Sequence, residues 1–517
     1  MSDRAAASPL LLIGVDSASL ARLESDAAAG RMPNLARLMA RGFTVPVRNR
    51  LHGFHANSWM RLVEGVDVSP WYFAKYWRPA SMGFGHARDG GVEPRRPFWA
   101  DLVDAGRKVA VIDVPQTADG SAWGADVFVK GWQKTNDQRL TVRPADLADA
   151  DGARLGRPLL GADPYHPPTA DGLEAIRDEV LRATQAAAGL GARILAERRP
   201  DCLVLVFAAP HRAGHYLWDL SQLDAGALPA AQRERLEGAH AAIHAGLDAA
   251  IGTLLAATGD QATVALFSPY GMEPANGWSY HFAAMMRQLV LPPAAAGQPT
   301  LAGRLRASLP GSLVRNAMAQ LPEAVADRVV GLASPLLTAW RHTPVLTLPG
   351  EPEGYVRLNL RGREREGIVD PAEAPALLEA IATALREIRT LGSDEPIIGE
   401  IQDTDALVGR DHPDRPHLPD LVVLFRTDLA AREVDGVWRA GHGELRWTRG
   451  APYPSGRSGN HAADGFCIAA GPGIVPGRGN EVRDSIDLTA TFQAMAGIPV
   501  AARMDGRPIA PLLPRPS

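Results

Sequence analysis

The chain has 517 residues, enough for two ordinary domains or for one large α/β domain carrying insertions. Hydrophobic residues make up 46% and charged residues 22%, a globular composition, and a formal net charge of −4 leaves no basic excess to neutralise phosphates, which argues against a general nucleic-acid binder. Two cysteines, Cys202 and Cys467, each lie inside an apolar run; their number excludes a disulfide framework and they read as buried core thiols.

The first apolar stretch, in MSDRAAASPLLLIGVD, is too short for the core of a signal peptide and runs straight into Gly14 and Asp16. No apolar run approaches the ~18 residues that span a bilayer, so the expectation is a cytoplasmic chain without a membrane partner. PLLLIGVD predicts a strand, and ASLARLESDAAAGRMPNLARLMARG a helical stretch closing at Gly42. PFWADLVDAGR then predicts a helix leading into the strand KVAVIDVP. Residues 136–172, rich in Asp, Ala and Pro, read as irregular. DCLVLVFAAP and QATVALFSPYG repeat the strand theme. Residues 282–350, with LPPAAAGQPTLAGRL, break the alternation and read as a helical insertion or cap between core segments 1–281 and 351–517. AEAPALLEAIATALREI, within 371–398, is a strongly amphipathic helix, and PDLVVLF and GFCIAAGPG are the last strands. No internal repeat is present.

Strands of near-continuous apolar residues alternating with helices predict a central, mostly parallel sheet covered on both faces. Ligands of such sheets sit outside the C-terminal strand edge, so the polar residues that end the apolar runs are the ones with chemistry to offer. Asp16 ends the first run, where it could serve a site or cap a helix. His211 and His215, four apart in APHRAGHYLW, follow CLVLVF. Alone, such a pair is more often a surface or structural feature than a metal site; its place after a strand end raises the second reading. His461, in the Gly/Ser-rich SGRSGNHAADGF, is a third candidate ligand on a segment entering another strand. His52 and His55 in RLHGFHANSW are a ligand pair or a polar turn, and His442, between glycines, reads as a loop residue. The glycines form neither GxGxxG nor GxxxxGK[ST], which leaves out nucleotide cradles of those types.

Taken together, IGVDSASLARLESDAAAGRMPNLARLMARG, SWMRLVEGV, PFWADLVDAGRKVAVIDVP, GYVRLNLRGREREGIV, LPDLVVLF, SGNHAADGFCIAAGPGI and DSIDLTATFQAMAGIPVAARMDGRPI resemble the recurring blocks of the alkaline phosphatase superfamily, in its type I phosphodiesterase/nucleotide pyrophosphatase-like branch. The resemblance runs along most of the chain and implies an alkaline-phosphatase-like α/β fold. It also implies two metal ions. One would be held by Asp and His of D-x-x-x-H plus a distal His. The other would be held by the first-strand Asp, the Asp-His of S-D-H-G-M and a Thr or Ser nucleophile.

Asp16 matches the first-strand Asp, His215 the His of D-x-x-x-H, and His461 the distal His. Three positions depart. His211 stands where the Asp of D-x-x-x-H is expected. SPYGM replaces SDHGM, so Pro269 and Tyr270 take the places of Asp and His. The nucleophile position, counted back from Gly65, falls on His55, with Ser58 three residues off register.

The second metal site would be left with Asp16 and His55, too few for tight binding. The first keeps three ligands, now all neutral histidines, an arrangement known for catalytic zinc with coordination positions left open. The resemblance thus implies one divalent ion (zinc first, iron or copper as alternatives) with His211, His215 and His461 as ligands and His55 and Asp16 as further ligand candidates. His55, Asp16 and Tyr270 are the candidate catalytic residues. With two carboxylates fewer than the family pattern, the site favours an anionic small-molecule substrate or a hydroxide at the metal. The expected activity is hydrolysis of a phosphate mono- or diester, or a related ester, by metal-bound hydroxide. The alternatives are non-hydrolytic iron or copper chemistry, oxidative or lyase-type, and a catalytically inactive fold. The sequence does not set the oligomeric state, and a homo-oligomer is compatible with it.

Overall fold

The computed structural model of the chain describes residues 9–51, 53, 58–67, 76–79, 83–85, 96–117, 122–133, 140–150, 155, 158–161, 163–164, 166–259, 261–292, 342–348, 350–413 and 415–515. Most of the segment expected to form a helical insertion, residues 293–341, lies outside these. Two compact units are present. One comprises Met1–Trp71, Pro94–Pro274 and Pro454–Ser517, the other Tyr72–Glu93 and Ala275–Tyr453.

The first unit is built on a ten-stranded mixed sheet. Its strands include β1 (Leu10–Val15), β2 (Phe43–Arg48), β3 (Val109–Ile112), β4 (Val127–Lys130), β5 (Thr141–Arg143), β6 (Cys202–Phe207), β7 (Thr263–Ser268) and, after the short β8 (Gly271–Pro274) and β9 (Gly459–Ala462), β10 (Asp464–Ala470). The order β2-β10-β7-β1-β6-β3-β4-β5 is completed by Gly477–Arg478 and Arg483–Asp484, which both pair with β2. The run β7-β1-β6-β3-β4 is parallel, while β10 and β5 pair antiparallel with their neighbours. That is the mostly parallel sheet the apolar runs predict. Among the described residues the stretch expected to be irregular forms the edge strand β5 and the helix Ala145–Ala150, so it is not irregular throughout.

Strand β1 is central, in register with β6 from Leu10↔Cys202 to Val15↔Phe207 and with β7 from Leu10↔Thr263 to Gly14↔Phe267. Both of its faces are covered, so all six residues are buried and the strand carries no alternation of apolar and polar residues. Each fully buried Leu or Ile there contributes ~1.5–3 kcal/mol relative to exposure. One glycine interrupts the run for a steric reason. A Cβ on Gly14 would stand 2.8 Å from Val206 and 3.0 Å from the Trp59 indole, which packs over the end of the strand.

Helices α1 (Leu20–Ala28), α2 (Pro33–Arg41), α3 (Ser58–Glu64), α4 (Ala170–Glu197), α5 (Ala209–Tyr216) and α6 (Ala239–Thr258) belong to the same unit. Helix α6 is 20 residues long with a mean hydropathy of 1.3, long and apolar enough by length and composition to cross a bilayer, unlike anything picked out in the sequence. Here it packs one face into the core. Ile243, Leu247, Ile251 and Leu254 are buried, and the Asp248 carboxylate accepts the Asn34 and Leu35 amide hydrogens at the start of α2. Both cysteines are free and buried, as expected from the sequence, and burial pushes the Cys202 thiol up to about 12.

The second unit has its own core. Val345–Leu348, Gly354–Leu358, Leu421–Phe425 and Ile398–Asp403 form an antiparallel sheet in that order, and a hydrophobic cluster joins it to the helix Ala374–Arg386, the one predicted from the amphipathic pattern. Beside this core lies a buried ion network: Arg357 pairs with Glu364 at 2.6 Å, and Arg363 and Arg415 reach Asp420 at 2.6 and 2.7 Å. Burial pushes the Asp420 carboxyl up, but the hydrogen bonds and charge of Arg363, with Arg415 and Arg357, outweigh it and hold it at about 2.

Candidate metal centre

The parallel register decides which residues meet. Strands β1, β6 and β7 end side by side, so Asp16, helix α5 and the segment through Tyr270 emerge at one edge of the sheet. Helix α5 begins directly after β6 and presents His211 and His215 one turn apart on a single face. His461 arrives from β9, which pairs antiparallel with β8 so that Met272 opposes His461. A close backbone approach makes this fit: a Cβ on Gly459 would lie 2.1 Å from the Gly214 carbonyl oxygen, so glycine is required for β9 to lie against α5. The Ser458 amide donates to the His215 carbonyl at 2.8 Å and fastens the two segments together.

The three imidazoles converge. His211 Nε2 is 2.8 Å from His215 Nε2 and 3.1 Å from His461 Nε2, and ligand atoms of all three fall within 4.8 Å of one another. Their outer nitrogens show which inner nitrogens can present lone pairs to a cation. His215 Nδ1 is 3.0 Å from the Gly459 carbonyl oxygen, which can only accept, so that nitrogen carries a hydrogen. His211 Nδ1 is 2.7 Å from Asp16 Oδ2 and donates to the carboxylate. In the neutral rings both Nε2 atoms therefore present lone pairs to each other at 2.8 Å, which is repulsive without a positive centre between them. Three imidazole nitrogens around a tetrahedral zinc at 2.0–2.1 Å stand roughly 3.3 Å apart, close to the spacings here.

Asp16 stands behind His211. It is 1% exposed, and its oxygens are committed to protein donors: Oδ2 to His211, Oδ1 to Trp59 Nε1 at 2.7 Å and to the Tyr270 hydroxyl at 2.8 Å. Burial raises its pKa, but the nearby His211 and the hydrogen bonds from His211, Trp59 and Tyr270 outweigh burial and hold the carboxyl below its usual range. Burial, and after it the Asp16 charge, push the Tyr270 phenol well above its ordinary value, so it stays a donor. The Tyr270 ring also packs edge-on against His461, with centroids 5.0 Å apart.

Among the described residues the only group of three or more His, Cys, Asp or Glu side chains able to share a metal is His211, His215 and His461. His55 and His52 lie outside the described residues. Ser58, the hydroxyl closest to the nucleophile register, is fully buried at the start of α3 and accepts from Asn49 Nδ2 at 2.6 Å. His442 is an exposed residue of the second unit whose Nδ1 donates to the Ala440 carbonyl.

Sequence reasoning missed Trp59 and Gln133. Trp59 lies in SWMRLVEGV, but nothing in that segment signals that its indole reaches Asp16. Gln133 Nε2 donates to the Val206 carbonyl at 2.9 Å and to Asp113 Oδ2 at 3.1 Å, while its Oε1 accepts the Ala209 amide hydrogen at 3.3 Å. It thereby ties the end of β6 to the first turn of the helix that carries His211 and His215. Gln133→Leu leaves these buried backbone groups without partners, so a loss of ~1–3 kcal/mol of stability is expected in denaturant unfolding. An unchanged midpoint would show that the bridge is dispensable.

The fold is that of an alkaline-phosphatase-like α/β protein. Residues 48–437 match the model of the type I phosphodiesterase/nucleotide pyrophosphatase family, and the chain belongs to that family. The family is metal-dependent, typically with zinc, and hydrolyses small anionic phosphate esters. Among solved structures the chain is similar to phosphonoacetate hydrolase from Sinorhizobium meliloti 1021 bound to phosphonoformate (14% identity, TM-score 0.48, covering 95% of this chain and 96% of that one). It is also similar to human ectonucleotide pyrophosphatase/phosphodiesterase 5 (11% identity, TM-score 0.47, covering 96% and 97%). A third similar structure is the inactive murine counterpart in complex with AMP (12% identity, TM-score 0.44, covering 96% of each). No curated protein matches the chain in sequence.

Proposed function

We propose that the chain is a phosphate-ester hydrolase working with a single divalent ion, zinc first, held by His211, His215 and His461. The observation that carries this reading is the convergence of three Nε2 atoms, two of them lone pairs turned toward each other by hydrogen bonds on their far sides. When bound there, the ion supplies Lewis acidity toward a phosphoryl oxygen and activation of water.

The chain's own residues prepare that chemistry. Asp16 orients His211 and keeps its proton on Nδ1, leaving Nε2 free to ligate, as second partners of metal-bound histidines commonly do. Trp59 and Tyr270 in turn hold Asp16 ionised and turned toward His211. The Gly459 carbonyl does for His215 what Asp16 does for His211. Three neutral ligands leave the ion's charge uncompensated by protein, which suits a phosphodiester anion.

An aryl phosphodiester assay on zinc-loaded protein tests the proposal. Turnover is expected, abolished by a chelator, restored by zinc, and reduced more than about a hundredfold in His461→Ala, since each imidazole is one of only three ligands. No turnover with any divalent ion would overturn the hydrolytic reading. An absorption band and oxygen uptake with iron or copper in the same protein would replace it with redox chemistry.

A further inference from the structure

On the other side of Asp16 a small cleft opens between α1, α5 and α6, lined by Ser17, Arg22, Trp218, His240 and His244 among others. We propose that this cleft is a second ligand site that takes a small oxyanion, separate from the three-histidine centre.

Arg22 sits in the first turn of α1, where the helix dipole disfavours a cation, and that turn contains no acidic residue. Its guanidinium stacks 3.5 Å over the Trp218 ring and makes no hydrogen bond or ion pair with any described residue. The indole face holds the charge in place by a cation–π contact and leaves the N–H edge of the guanidinium without a hydrogen-bond acceptor among the described residues. The charges of Asp219 and Asp26 act on the guanidinium, but neither carboxylate makes a hydrogen bond or a close ion pair with it. Asp26 takes Arg31 and His244 Nδ1, and Asp16 takes His211, Trp59, Tyr270 and Ser17, while Asp219 is exposed.

The second, independent observation is His240. It lies edge-on to Trp218 with centroids 5.6 Å apart, and neither of its ring nitrogens, both sealed from solvent, has a hydrogen-bond partner. An imidazole whose nitrogens are both sealed from solvent and unsatisfied is costly, and its one N–H can donate to a group held at the adjacent guanidinium. The start of α1 adds backbone donors: the Ser19 cap position makes no side-chain hydrogen bond to the helix. A guanidinium fork, an imidazole N–H and helix-start amides together select an oxyanion over a cation or an apolar group.

Titrating inorganic phosphate into the full chain after metal removal, followed by calorimetry, tests the proposal independently of the metal reading. Saturable binding is expected, weakened at least about tenfold in Arg22→Gln, as loss of a charge-assisted hydrogen bond requires. His240→Phe should weaken it too while retaining the native circular dichroism spectrum, and it serves where Arg22→Gln fails to fold. Acetate that competes as well as phosphate would make a carboxylate group the ligand; failure of acetate to compete would make it a phosphoryl group, and either supports an oxyanion site. No heat of binding, meaning that the cleft holds only water, would overturn the proposal. So would phosphate binding that disappears with the metal or is indifferent to both substitutions.

Discussion

His215→Ala is expected to bind its divalent ion at least about a hundredfold more weakly than the unaltered chain, which should carry one equivalent. The basis is that even partners behind metal ligands are worth 10–100-fold in affinity, and His215 is a ligand candidate aimed inward by its own hydrogen bond to Gly459. An ion that binds only the folded chain would stabilise it by ~4 kcal/mol at a thousandfold excess over its Kd. Chelation should therefore lower the unfolding midpoint of the unaltered chain and leave that of the variant nearly unmoved. His215 is 2% exposed, so the variant also loses ~1–3 kcal/mol from the unpaired Gly459 carbonyl whether or not metal is present. Comparing each protein with and without chelator separates the two effects. Elemental analysis and equilibrium dialysis read the result: two tightly held ions, or none in any preparation, would sink the three-histidine reading.

Asp16→Asn distinguishes a carboxylate that orients a ligand from one that is a ligand. The side chain keeps its shape but loses the charge that fixes the His211 proton on Nδ1. It also turns an amide donor toward existing donors: His211 on one side, or Trp59, Tyr270 and Ser17 on the other. Metal affinity is expected to fall about 10–100-fold, with ~1–3 kcal/mol lost in folding stability. The cobalt(II)-substituted protein should nevertheless keep the spectrum of the unaltered site, because the three imidazoles still ligate. A spectrum showing a lower coordination number, with affinity lost as completely as in His215→Ala, would make Asp16 a ligand instead.

Much of the fold was legible because a parallel sheet covered on both faces writes itself as apolar runs. PLLLIGV, CLVLVF and TVALFS became β1, β6 and β7, side by side as that pattern predicts. The site was legible in part for the same reason: residues that end such strands must emerge at one edge, which singled out Asp16 and the His211–His215 pair. Helix α6 was not recognised as a long apolar helix, because His240, His244 and Asp248 interrupt its composition while its length and packing do not show in local pattern.

The sequence by itself determined the strands and the residue types at their ends, since these depend only on residue identity and local periodicity. Only the tertiary structure decided what each residue meets. His461 reaches His211 across 250 positions because β8 and β9 pair and Gly459 lets backbones touch. Asp16 turns away from the imidazole nitrogens that face one another because Trp59 and Tyr270, distant in sequence, donate to it. Hydrogen-bond direction and close approach are properties of pairs of residues brought together by folding, and no single segment carries them.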